Sequence, residues 1–168
     1  IITVMSFAGA IYRITSSFTT TYLTTLGLSI ESADAVTALM MVVGAFGSVV
    51  GGTLTDRIGE RKTVCLTMAI LTVLSLVSAN VGNVYLLSLI ICLIGFTMLS
   101  VWPSFYSAIA SATSLGARAF AYGILFAISW SFGSLFPYVT GACADIFGLK
   151  IIYVFVSVLS LLAAVIAY

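Results

Sequence analysis

Arg13 is the one charged residue of this sequence set deep inside an apolar segment. It lies about 18 Å into a helix at a rise of about 1.5 Å per residue. A guanidinium stays protonated in a protein, so Arg13 can hold an anion but cannot act as a base. Facing lipid at that depth, it would cost several kcal/mol, and it is therefore expected to face a cavity or a partner. The nearest carboxylates along the chain, Glu31 and Asp34, are about 27 Å or more away along a helical axis. Two partners remain: a carboxylate from outside these helices, forming a structural ion pair, or the carboxylate or phosphate ester of a small substrate. In the second case Tyr12, Ser17, Trp102 and Tyr106 are the candidate cavity neighbours, the aromatics supplying shape and an edge of polarity.

Other chemistry is thinly served. The sequence has no histidine, the commonest general base and a common metal ligand. Cys65, Cys92 and Cys143 are widely spaced in apolar surroundings and read as packed thiols. No carboxylate lies inside an apolar segment to activate a nucleophile. An enzyme is not expected, nor are a cofactor and a metal, and no basic run points to nucleic acid.

A second polar stretch runs from Gly51 to Lys62. Its last seven positions hold Asp56, Arg57, Glu60, Arg61 and Lys62, five of the chain's eleven charged residues. A tight charged turn between long apolar segments belongs at the edge of a bilayer. Gly52 is expected to let two helix backbones approach closely, and Gly59 to permit the chain reversal. Asp56 and Arg57 are expected to pair with each other or with helix ends.

These residues need elements to position them, and composition dictates which. Of 168 residues, 62% are hydrophobic and 7% charged, with a mean hydropathy of +1.27. Soluble domains carry roughly 25% charged residues. So little polar surface cannot cover a globular protein, and lipid must be the solvent. A spanning helix needs about 20 apolar residues, so the chain holds about six. The boundaries fall near Ile1–Leu26, Ala33–Thr55, Thr63–Ala79, Val84–Ala112, Arg118–Cys143 and Ile151–Tyr168. The first helix has a polar face at Ser6, Arg13, Ser17, Thr20 and Thr24. The second carries Gly44, Gly47 and Gly51 on one face, a packing surface. The fourth should bend at Trp102-Pro103 and has a small-polar stripe of Thr97, Ser100, Ser104, Ser107 and Ser111. The fifth is aromatic, with Tyr122, Phe126, Trp130 and Phe132, and holds Pro137. The uncharged sixth reads as lipid-facing. The sequence starts at Ile1 in mid-hydrophobic run, without an initiator Met or a signal-peptide n-region, and so reads as part of something longer.

Six spans put both chain ends on one face, together with Arg57, Arg61, Lys62 and Arg118. The other face holds Lys150 against Glu31, Asp34 and Asp145. The positive-inside rule then places both termini in the cytoplasm of a multi-pass protein of the plasma or inner membrane.

The chain also repeats itself. Gly27 and Gly116, Gly44 and Gly133, Gly52 and Gly141, and Gly59 and Gly148 are each 89 residues apart. Asp56 and Asp145, and Arg61 and Lys150, share that offset, as do Arg13 and Trp102. The repeats run over about residues 1–79 and 90–168. Three helices per repeat is an odd number, so the second copy is inverted in the membrane, an arrangement known from secondary transporters.

Gly52 to Lys62, in the pattern Gly-x-x-x-Asp-Arg-x-Gly-x-Arg-Lys, resembles the signature loop of the major facilitator superfamily. Helix count, loop placement and repeat extend the resemblance to the whole chain. Pro137 to Asp145 looks like the penultimate helix of these transporters, which favours the C-terminal half. Glu60 stands where the family usually has a basic residue, which puts its charge relay in doubt. The resemblance implies an all-α membrane fold of six helices, one half of a secondary active transporter, with the other half as its partner. It also implies that the first helix of each repeat lines the cavity, that the third faces lipid, and that Gly52, Asp56, Arg57, Gly59, Arg61 and Lys62 form a gating loop. The cargo would be a small solute moved by alternating access, an organic anion if Arg13 binds it. A non-transporting sensor or scaffold that keeps the fold is the alternative; an intramembrane enzyme fits least.

Overall fold

The computed structural model describes residues 1–168 and is all-helical. Eight helices occur: α1 (Ile2–Thr25), α2 (Ile30–Ile58), α3 (Glu60–Asn80), α4 (Val84–Ser100), α5 (Trp102–Ala112), α6 (Arg118–Gly133), α7 (Leu135–Phe147) and α8 (Ile151–Ala167). They make six rods, because α4 and α5 form one broken rod and α6 and α7 another. Both breaks follow from proline. Pro103 lacks the N–H that Leu99 O would accept, and Pro137 does the same to Gly133 O, so the helix gives way just before each ring. Trp102-Pro103 was expected to bend its helix; Pro137 proves to break the fifth span as well, at Ser134.

Helix ends are set locally. Gly27, at φ +101°, closes α1. Its N–H donates to Thr24 O, and the Leu28 N–H donates to Leu23 O, the paired bonds of a Schellman cap. Ser29 caps α2 by accepting from the Ser32 N–H, and Asn83 caps α4 by accepting from Tyr85 and Leu86. Gly59 ends α2 at φ +85° and ψ +161°, a conformation that only glycine adopts freely. Gly148 ends α7 at φ +83° and ψ +162°.

Four rods are long and apolar enough to cross a bilayer: Ile30–Ile58, Glu60–Asn80, Val84–Ala112 and Arg118–Phe147. The apolar α8 is shorter, at 17 residues. The 24-residue α1 is interrupted by Arg13 and by a hydroxyl-rich second half.

Packing follows small residues. Along α2, Gly44, Gly47 and Gly51 are pressed against the α4 backbone at Gly95, Phe96 and Ser100, and no Cβ fits at Gly47 or Gly51. This is the packing face expected from the glycine spacing. The close approach at the end of this face nearest the charged turn, however, belongs to Gly51. Gly52 was expected to make it, but a Cβ there would meet only Pro103 Cβ, at an ordinary 3.8 Å. Adjacent helical residues point about 100° apart, so Gly52 looks away from the contact. On the other side, α6 lies on α1, where a Cβ at Gly133 would come within 2.9 Å of the Gly9–Ala10 backbone.

The outer rods α3 and α8 pack on each other, with Thr72 and Ser160 hydrogen-bonded at 2.8 Å. Their other faces expose Leu66, Ile70, Val73 and Leu76, and Val158, Leu161, Leu162 and Val165. Such apolar faces suit lipid as solvent. The stripe of α4–α5 is taken up mainly by helix packing, and none of it lines the aromatic cleft beside Trp102. Thr97, Ser100 and Ser104 are buried, Ser104 is hydrogen-bonded to Thr55 of α2 at 2.7 Å, and Ser107 is bonded to Glu60 of α3. Small hydroxyls at this spacing serve helix packing, because they combine little bulk with an interhelical bond.

Candidate functional site

The break at Val101 presents the aromatic residues at the start of α5 to α1 and α6. Trp102 stacks with Trp130 at 6.0 Å between centroids and with Phe126 at 6.1 Å. Tyr106 stacks with Phe126 at 5.8 Å and meets Tyr122 edge-on at 6.3 Å. The Tyr122 hydroxyl donates to Tyr106 O at 2.7 Å, which ties α6 to α5. Tyr12, from α1, stands edge-on to Trp130 at 5.5 Å. Together Tyr12, Leu99, Trp102, Tyr106, Phe126 and Trp130 line a partly open cleft of about 200 Å³.

Arg13 belongs to this cluster. Its guanidinium carbon lies 4.9 Å from the Trp130 ring centroid, over the indole face, a cation–π contact. Its Nε is buried and has no hydrogen-bond partner. The nearest polar contact to its backbone is local: Ser16 Oγ donates to Arg13 O at 3.2 Å. The arginine thus rests on an aromatic face, with donor capacity to spare.

Of the residues expected to surround Arg13, Tyr12, Trp102 and Tyr106 line the cleft. Ser17 is exposed, one turn further along α1, and does not line the cleft. Sequence reasoning passed over Trp130, Phe126 and Tyr122 as site residues. Their spacing of four along α6 was the available signal, since it stacks them on one helix face.

The charged loop is arranged differently from expectation. Asp56, Arg57 and Lys62 are exposed. The hydrogen bonds are made by Glu60 and Arg61 instead. Ser107 Oγ donates to Glu60 Oε1 at 2.8 Å, and Arg61 Nε donates to Ala167 O at 3.2 Å. Glu60 thereby joins the start of α3 to α5, and Arg61 joins it to the end of α8. Its place in the first turn of α3 suits the Glu60 carboxylate, because the unpaired N–H groups there favour negative charge. Ile1, Val4, Ser104 and Ile166 line a small cavity with these two residues, so both chain ends lie on the face of this loop.

Long apolar rods, a core of packed helix faces and charge confined to the helix ends and the turns between them, Arg13 apart, define a multi-pass helical membrane protein. The family model of the Major Facilitator Superfamily matches residues 1–168, and the chain belongs to that family. It is accordingly a secondary transporter and not an enzyme. A search of curated proteins returns no match.

Proposed function

We propose that the chain is one six-helix half of a secondary transporter, most closely matching a C-terminal half, and that it moves a small organic anion by alternating access. The observation that carries this reading is Arg13: a permanent cation at mid-helix, seated on Trp130 beside an aromatic cleft, with a buried Nε and no carboxylate partner. A scaffold has little reason to keep such a group, whereas an anion carrier needs it. A second six-helix half, or a second copy, supplies the facing wall of the cavity.

An inverted pair of three-helix repeats is supported by matched geometry at the offset of 89. Gly59 and Gly148 share their unusual conformation, and each N–H donates to the carbonyl four residues back, Thr55 O and Ala144 O. Thr55 and Ala144 are themselves 89 apart. Gly44 packs on Leu99 of α4, and its counterpart Gly133 packs on Ala10 of α1, Leu99's counterpart. Gly27 and Gly116 do not extend the match, since only Gly27 has a positive φ.

The loop from Gly52 to Lys62 acts in this reading as a latch on the cytoplasmic face, with both termini beside it. Contacts at that edge are broken and remade as the half rocks against its partner, which holds one state of the cycle. Reconstituting the full-length protein and measuring saturable exchange of labelled carboxylates tests the reading. Exchange supports it, and a well-folded protein that moves no anion refutes it.

A further inference from the structure

We infer that the cargo is a monocyclic aromatic monocarboxylate, its carboxylate on Arg13 and its ring in the cleft bounded by Tyr12, Trp102, Tyr106, Phe126 and Trp130. This rests on the cleft's being the substrate site. Three observations narrow the cargo.

The first is charge. Arg13 is the only cation at this depth, and no carboxylate accompanies it. One guanidinium fork matches one carboxylate with two parallel bonds. A phosphate ester, with a second ionisation near pH 6, brings close to two charges at neutral pH and would leave one without a partner in an apolar site.

The second is the wall. All six lining residues are aromatic or aliphatic, and five of them are aromatic. Their rings meet one another edge-on or offset, at 5.5 to 6.4 Å. Such faces favour a further ring over an aliphatic body of equal area, because ring edges and faces carry opposite partial charges.

The third is size and placement. An apolar cavity of about 150 Å³ accommodates a benzene ring, so a cleft of about 200 Å³ has room for one ring with a small substituent against this wall. Arg13 lies over Trp130, which is also a wall of the cleft, at 4.9 Å from its centroid. The cation and the aromatic wall therefore meet at one indole, that of Trp130.

The test is binding of radiolabelled benzoate to the purified full-length protein, with competition by cyclohexanecarboxylate, acetate, benzyl alcohol and phenyl phosphate. Benzoate should bind saturably. Cyclohexanecarboxylate, equal in charge and similar in bulk but without a π-face, should bind about fivefold more weakly or worse. Benzyl alcohol should not compete. Trp130→Leu should weaken benzoate binding by a similar factor, and Trp130→Phe should recover most of the loss, with a cooperative thermal unfolding transition showing that each variant is folded. Equal affinity for cyclohexanecarboxylate, or tighter binding of phenyl phosphate, would overturn the aromatic monocarboxylate while leaving anion transport standing. Failure of every anion to bind would remove both.

Discussion

The guanidinium of Arg13 and the indole of Trp130 are in face contact at 4.9 Å, although 117 residues separate them in the chain. Trp102, the residue 89 positions after Arg13, stacks on the same indole. Trp130 is thus the surface on which the mid-points of the first and fourth spans meet.

That contact should be measurable as a coupling. In a double-mutant cycle of thermal unfolding in detergent, Arg13→Gln and Trp130→Leu should be non-additive by about 1 kcal/mol or more, the range of a partly desolvated cation–π pair. Additive effects would mean that the two side chains are neighbours without interacting.

Two adjacent glycines should behave differently. Gly51→Ala forces a Cβ into the Ser100 backbone and should destabilise the fold by about 1–3 kcal/mol, as overpacking does. Gly52→Ala meets only Pro103 at 3.8 Å and should be close to neutral. Thermal unfolding of the two variants decides, and a larger loss at Gly52 would contradict this rotation of α2 against α4.

Gly59→Ala and Gly148→Ala place a side chain at φ +85° and +83°, where nothing crowds the site but the backbone itself is forbidden. Each should cost about 1–3 kcal/mol, and by similar amounts, because the strain is the same. Unequal losses would count against the equivalence of the two turns.

The Glu60–Ser107 hydrogen bond joins α3 to α5 at the face of the charged loop, and neither residue lines the aromatic cleft. Glu60→Gln and Ser107→Ala should each change turnover by several-fold with little change in substrate affinity, and the double variant should do no more than either alone. Asp56→Asn should also act on turnover. Altered binding with intact turnover would separate this loop from gating.

Much of this architecture was legible in the sequence because it rests on local rules. Hydrophobic length marked the spans, and glycine spacing along α2 marked its contact face. The bend at Pro103 needed only a missing N–H. What eluded the sequence is long-range or rotational. Gly51 and Gly52 are alike as residues, and only the rotation of α2 against α4 separates them. The serine stripe of α4–α5 had the spacing of a cavity lining, but that spacing serves packing against α2 and α3 equally well. The aromatic partner of Arg13 was visible as a ladder at Tyr122, Phe126 and Trp130, yet which helix would carry it to Arg13 depends on how α6 docks on α1. That docking is set by Gly9 and Gly133, from opposite ends of the chain.

The most direct test of the central claim is counterflow of labelled benzoate and acetate through proteoliposomes holding the full-length protein, with Arg13→Gln and Arg13→Lys beside the native chain. We expect saturable exchange by the native protein. Arg13→Lys keeps the charge without the fork and should weaken apparent affinity about tenfold. Arg13→Gln should abolish exchange while keeping the native unfolding temperature to within a few degrees. Unchanged exchange in Arg13→Gln, or its collapse as a folded protein, would contradict the account and make Arg13 a structural residue.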